Sequence, residues 1–207
     1  MLISESMQKI IRVLLNTKKL TLRKLSSECG VSLGISSKII NQLEKTEYLV
    51  RKRGFLEVRN YRKLLNAWAY SSSITDLKKL EFIGAESPSY LIKKISLIAN
   101  KNKLEHAFTL FAGTEIVCPY VTPSEVHFYI LESEKKEWEN DLRKERIFPA
   151  EKGNIICFLA DKSYFYGKIV NRNIGVISLP QLYVDLFSFG GRGEEAAAEL
   201  SKVIKNV

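Results

Sequence analysis

From Leu2 to Leu15 the apolar side chains fall at Ile3, Met7, Ile10, Ile11, Leu14 and Leu15, the three-and-four spacing that lays one stripe along a helix. Ser4 or Ser6 is placed to cap its start. A second helix is expected to open at Thr21, with Leu22 and Leu25 inward, and to run to Cys29, where Gly30 supplies the left-handed residue that ends it. Val31 then plugs a turn, Ser32 caps a third helix, and Ile35, Ile39, Ile40 and Leu43 line its inner face to about Thr46. After that the period shortens. Tyr48-Leu49-Val50 and Phe55-Leu56-Glu57-Val58 read as two short strands around Arg51-Lys52-Arg53-Gly54, a hairpin with a basic, glycine-bearing turn. A linking helix follows from Tyr61 to Tyr70, with Leu64, Leu65 and Trp68 on one face and Arg59, Arg62 and Lys63 keeping the segment basic.

Helix, helix, tight Gly-Val-Ser turn, helix, basic hairpin: over about fifty residues this order resembles a winged helix-turn-helix. In that arrangement the third helix enters a DNA major groove with its N-terminal half against base edges. With Ile35, Ile39 and Leu43 inward, Ser36, Ser37, Lys38 and Asn41 are expected to point outward, beside Ser32 and the bulk-free Gly34. Asn41 suits bidentate pairing with adenine, and Lys38 suits a phosphate or a guanine. Arg51, Lys52 and Arg53 suit backbone phosphates or a minor groove, and Arg23 and Lys24 add phosphate contacts at the second helix. The competing reading is a solvated basic face or a protein-binding winged helix.

Beyond the polar stretch Ser71-Ser72-Ser73 the pattern mixes helices and strands, which puts a domain boundary near Tyr70 and gives domains 1–70 and 71–207. Tyr90-Leu91-Ile92 and Leu97-Ile98-Ala99 are short apolar runs separated by Lys93-Lys94, and Glu105 to Phe111 reads as helical. Val126 to Leu131 has the β-branched and aromatic content of a strand. Glu134 to Glu145 is a charged helix with acids and bases interleaved. Ile155 to Leu159 is a near-continuous apolar strand of the kind buried on both faces, and Gly175 to Ser178 is another short strand. Helices are expected over Leu182 to Phe189 and Glu194 to Ile204, broken by Gly190-Gly191-Arg192-Gly193. The fold class is α+β: a winged helix-turn-helix followed by a mixed α/β domain.

Charge sharpens this division. Up to Tyr70 the chain has 14 Lys and Arg against 5 Asp and Glu, while from Ser71 onward the count is 18 against 18. The whole net charge of +9 therefore sits in the first third, and a one-signed block of this kind calls for a polyanionic partner. A hydrophobic content of 45% with 27% charged residues suits globular folding. No apolar run approaches the ~18 residues of a membrane span, so no membrane partner is expected. The N-terminus lacks the basic lead and apolar stretch of a secretory signal. Cys29, Cys118 and Cys157 have neither pairing nor metal spacing and suit a reducing compartment, the cytoplasm.

Certain later motifs resemble a known family. They are Ala107-Phe108-Thr109-Leu110-Phe111-Ala112-Gly113-Thr114 ahead of Pro119-Tyr120-Val121, Gly153-Asn154-Ile155-Ile156 with Ala160-Asp161, and Gly175-Val176-Ile177-Ser178. Gln181-Leu182-Tyr183-Val184-Asp185-Leu186 and Gly190-Gly191-Arg192-Gly193-Glu194-Glu195-Ala196-Ala197 complete the succession. It resembles the C-terminal region of the AbiEi-like antitoxins of type IV toxin–antitoxin systems, which also begin with a winged helix. The resemblance implies a transcriptional autoregulator on double-stranded DNA with inverted-repeat operators, a functional link to a nucleotidyltransferase-like toxin, and a homodimer as one candidate state. It gives Gln181, Asp185, Gly191, Arg192, Gly193, Glu194 and Glu195 a structural or antitoxin role.

No catalytic constellation appears. The Gly190–Gly193 stretch lacks the Gly-Lys-Ser/Thr ending of a P-loop and reads as an inter-helix turn before it reads as a phosphate cradle. Asp161-Lys162 is one acid and one lysine, too few ligands for a hard cation. Asp185 is expected to pair with Arg192; His106 and His127 have no partner spacing; and Tyr164-Phe165-Tyr166, beside Gly167-Lys168, reads as core in a β-like run. No cofactor or metal is implied. A nuclease or nucleotidyltransferase-like enzyme tethered to DNA, and a ligand-responsive repressor, stay open as alternatives.

Overall fold

The computed structural model describes residues 3–204; Leu2, the first residue of the expected opening helix, and the last three residues of the chain lie outside them. Helix α1 (Glu5–Asn16) is capped by Ser4, whose hydroxyl accepts from Met7 N at 3.4 Å. It leads to α2 (Leu22–Cys29) and α3 (Leu33–Lys45). Strands β1 (Leu49–Lys52) and β2 (Phe55–Val58) pair antiparallel from Leu49↔Val58 to Lys52↔Phe55, and Leu20 adds a bridge to Leu56. Helix α4 (Tyr61–Ala69) follows, with Leu64, Leu65 and Trp68 buried as the pattern requires.

After a short 3-10 turn (Ile74–Asp76), β3 (Lys79–Ile83), α5 (Pro88–Asn102), β4 (His106–Phe108) and α6 (Leu110–Val117) begin the second part. Then come β5 (Val126–Leu131), α7 (Lys135–Lys144), β6 (Phe148–Pro149), β7 (Ile155–Ala160), a 3-10 turn (Lys162–Phe165), β8 (Ile169–Asn171), β9 (Ile174–Val176), α8 (Leu179–Phe189) and α9 (Arg192–Val203). The strands form one seven-stranded mixed sheet in the order β6-β3-β7-β5-β4-β9-β8. The neighbours β5/β7 and β4/β9 are parallel, and the other pairs are antiparallel. The fold is mixed α/β.

Both faces of the central strands are covered, which explains their unbroken apolar character. Along β7, Ile155 and Cys157 belong to the cluster with α5 and α7, whereas Ile156, Phe158 and Ala160 belong to the one with α1, α4, α8 and α9. Strand β5 alternates in the same way, with Phe128 and Ile130 on one side and Tyr129 on the other. The second cluster also contains Leu25, Ile40, Leu43 and Trp68. The core is thus continuous across Tyr70.

Several local expectations are corrected. The runs around Leu91 and Leu97 are one helix, opened by Pro88, because Leu91, Ile92, Ile95, Ile98 and Ala99 make a single buried stripe. Glu105 to Phe111 is not helical throughout. His106, Ala107 and Phe108 form β4, held between Ile130-Tyr129-Phe128 of β5 and Val176 of β9, and only from Leu110 does a helix begin. Long-range pairing here overrides local preference. Tyr164 and Phe165 sit in a 3-10 turn capped by Asp161, not in a strand-like run. The last helix opens two residues early, at Arg192.

Candidate nucleic-acid interface

The segment from α2 to α3 is built by local hydrogen bonds. Thr21 Oγ1 accepts from Lys24 N at 3.2 Å to open α2. Gly30 closes it in the left-handed region (φ 62, ψ 28), its N–H and that of Val31 donating to carbonyls of the last turn. Ser32 Oγ accepts from Ile35 N at 3.4 Å and opens α3. Two hydroxyls, Ser26 Oγ at 2.5 Å and Ser36 Oγ at 3.4 Å, donate to the Val31 carbonyl, so the turn is fastened to both helices.

The rotation of α3 against its core differs from the expected one and corrects its faces. Ser36 is fully buried and heads an inward stripe with Ile40 and Leu43, flanked by Ile39. Ile35 is turned out instead, 47% exposed, as is Leu33. Ser36 therefore does not belong to the outer surface. Gly34, Lys38 and Asn41 are exposed and Ser37 is half-buried. Arg23 and Lys24 at the start of α2 are exposed as well.

In the hairpin, Arg51 and Lys52 are strand residues and the turn itself is Arg53-Gly54. Both turn residues have positive φ (51 and 84), the two-residue geometry that matches strand twist. Arg51 reaches α3: one guanidinium nitrogen donates to Asn41 Oδ1 at 2.8 Å and another lies 3.1 Å from Glu44 Oε2. Lys52 pairs across the hairpin with Glu57 at 3.3 Å, and Arg59 pairs with Glu47 at 3.6 Å. Among the described residues, Arg23, Lys24, Lys38 and Arg53 take part in none of these ion pairs. The structure thus joins Asn41 to Arg51, a contact that spacing along the chain does not announce.

Behind this surface lies a buried polar network that the sequence reading missed. Arg12, 1% exposed, donates from Nε to Gln181 Oε1 at 2.8 Å and from a terminal nitrogen to Ser163 Oγ at 3.0 Å. Its guanidinium carbon stands 4.2 Å from the Tyr164 ring centre and 5.5 Å from that of Trp68. Gln181 Nε2 donates to Asp185 Oδ1 at 2.7 Å, while Thr109 and Tyr129 hydroxyls donate to Asp185 Oδ2 at 2.6 and 3.0 Å. Burial pushes the Asp185 carboxyl up to about 6, against the pull of those hydrogen bonds and of Arg12. The pattern gave no signal for it: Arg12 falls on the polar stripe of α1 with Glu5, Gln8, Lys9 and Asn16 and so reads as solvent-facing, and only packing against α8 and the Lys162–Phe165 turn buries it.

Asp185 is therefore not paired with Arg192, which is exposed at the start of α9. Asp161 caps the 3-10 turn and lies 2.9 Å from Lys9. Gly193 lets α9 fold back on α8, since a Cβ there would stand 2.3 Å from the Leu186 carbonyl oxygen. The amides of Gly193 and Glu194 are spent on Gly190 and Gly191 carbonyls, and Gly191, Glu194 and Glu195 are exposed. Burial holds His106 and His127 down to about 4, so both are neutral at physiological pH. No cluster of three or more metal-binding side chains occurs among the described residues, and no helix there is long and apolar enough to cross a membrane.

A family model described as transcriptional regulator, AbiEi antitoxin, type IV TA system matches residues 57–205. The match takes in the sheet, α4 and the Gln181–Glu195 motifs, and begins after α3. No curated protein matches the chain.

Proposed function

Because the chain belongs to the AbiEi family of antitoxins and transcriptional regulators of type IV toxin–antitoxin systems, we propose that its first seventy residues are a winged helix-turn-helix that binds double-stranded DNA. The observation that carries this reading is the outer face of α3, which stays open beside exposed Arg23, Lys24 and Lys38. The β1–β2 hairpin stands as the wing next to it, with Arg53 at its tip. In this reading Ser32, Gly34, Ser37, Lys38 and Asn41 present α3 to the major groove, and Arg23, Lys24, Arg51, Lys52 and Arg53 meet phosphates. Asn41 exchanges its Arg51 partner for a base edge, or keeps it and offers only its amide N–H groups. An inverted-repeat operator, two copies of the chain on it, autoregulation, and opposition to a nucleotidyltransferase-like toxin form the finer part of the proposal and rest on the family.

Phosphate neutralisation makes such binding strongly salt-dependent. Full-length protein titrated against duplex DNA at about 50 and 200 mM salt should lose affinity by a factor on the order of a hundred or more. Failure to bind any duplex in dilute buffer would falsify the proposal.

A further inference from the structure

Two features of α3 have no explanation inside the protein. Gly34 has an ordinary helical backbone, and a Cβ built on it would meet nothing within 4 Å. Glycine in a helix is weaker than alanine, so neither space nor conformation asks for it there. On either side, Leu33 and Ile35 leave 47% of their surfaces in solvent while Ile39, Ile40 and Leu43 of the same helix are buried. Two branched aliphatics around a bare stretch of backbone make a shallow apolar notch at the tip of a helix.

The charge carried by α2 and α3 says what covers it. Lys38 lies one turn further along α3, and Arg23 and Lys24 open α2; all three are exposed and outside the ion pairs of this region. An apolar contact with exposed cations further along its own helix and on the helix before it matches an apolar point set among negative charges. In the major groove that point is the thymine C5-methyl group, which stands among base edges between two rows of phosphates. We infer that Leu33, Gly34 and Ile35 read thymine methyl groups, the aliphatic side chains touching the methyls while Gly34 lets the first turn of α3 come close to the bases. The inference rests on the DNA-binding reading above and adds a base preference to it. The two aliphatics are placed for thymines on different base pairs, so each half-site should carry more than one.

Replacing thymine by deoxyuridine removes the methyl and leaves base pairing intact. Full-length protein is first used to select bound duplexes from a random pool, and deoxyuridine is then introduced at each thymine in turn. Affinity should drop about fourfold at each of two positions per half-site, the worth of one buried methyl apiece. Ile35→Ala or Leu33→Ala should erase that sensitivity at its own position. Gly34→Ala should leave the melting temperature equal or higher and weaken binding by about tenfold. Tight binding that ignores every deoxyuridine, or a Gly34→Ala protein of full affinity, overturns the notch and leaves DNA binding standing. A selection that recovers no duplex overturns both.

Discussion

Arg12 and Asp185 sit at opposite ends of one buried chain of hydrogen bonds, through Gln181, and each limits what the other can do. A buried carboxylate with a folded-state value of about 6 stands above its usual 3.8, so the folded protein binds the proton more readily than the unfolded chain. Its contribution to stability is then full below about pH 4, is lost as pH rises through about 6, and is flat beyond. Comparison of the wild type with Asp185→Asn by denaturant unfolding isolates this effect. The wild type should lose ground to the variant by on the order of 2 kcal/mol between pH 4 and pH 7. A difference that does not vary with pH would remove Asp185 as the cause. At the same scale, the spacing of apolar residues is a good guide to burial only where one stripe is unambiguous. In α3 both Ile35 and Ser36 precede inward positions by four residues, and the packing of Ile39, Ile40 and Leu43 into the core, with Ser36 Oγ reaching the Val31 carbonyl, decides between them.

Among the elements, the β1–β2 hairpin is the one whose chemistry the residues most nearly spell out, and its charges are less free than they look. Arg51 and Lys52 are matched by Glu44 and Glu57, so only Arg53 of the three is outside an ion pair. Exposed pairs of this kind are weak, and phosphates can compete for both cations. In the DNA-binding reading, Arg51→Ala/Lys52→Ala/Arg53→Ala should weaken binding to every duplex alike. It should also flatten the dependence of log affinity on log salt by between about 1 and 3, about 0.9 for each phosphate left without its cation. An unchanged slope in electrophoretic shifts would take the hairpin out of the interface. Asn41→Ala, by contrast, should narrow the gap between preferred and unrelated sequences with little change in slope. Elements held by their own residues, such as α1–α3, β5, β7 and α8, are legible from pattern alone. Strand β4 is not, since three residues become a strand only by lying between β5 and β9.

For the whole molecule the decisive fact is one apolar cluster running from Ile3 through Trp68 to Leu200. Polar contacts follow the same seam: Tyr183 OH donates to Asn66 Oδ1 at 2.9 Å, Thr17 and Tyr166 hydroxyls meet at 3.0 Å, and Asn16 Nδ2 donates to Ser178 Oγ at 3.2 Å. A Cβ at Gly167, where φ is already +73, would stand 2.6 Å from Asn16 Oδ1, so the seam is tight there too. The charged third and the neutral remainder should accordingly melt together. A single calorimetric transition with equal calorimetric and van't Hoff enthalpies is expected, and two resolved transitions would contradict it. A rigid seam also fixes the direction in which α3 faces relative to the sheet.

By itself the amino-acid sequence determined which segments become helices in the first seventy residues, where the hairpin lies, which later strands are buried on both faces, and where the positive charge collects. Those properties are set by neighbours a few residues apart, through periodicity, caps and turn residues. The inward turn of Ser36, the outward turn of Ile35, the Asn41–Arg51 contact and the Arg12–Gln181–Asp185 chain were decided by the tertiary structure alone. They join residues up to 169 positions apart or depend on the exact rotation of a helix against its core, and no local pattern encodes either.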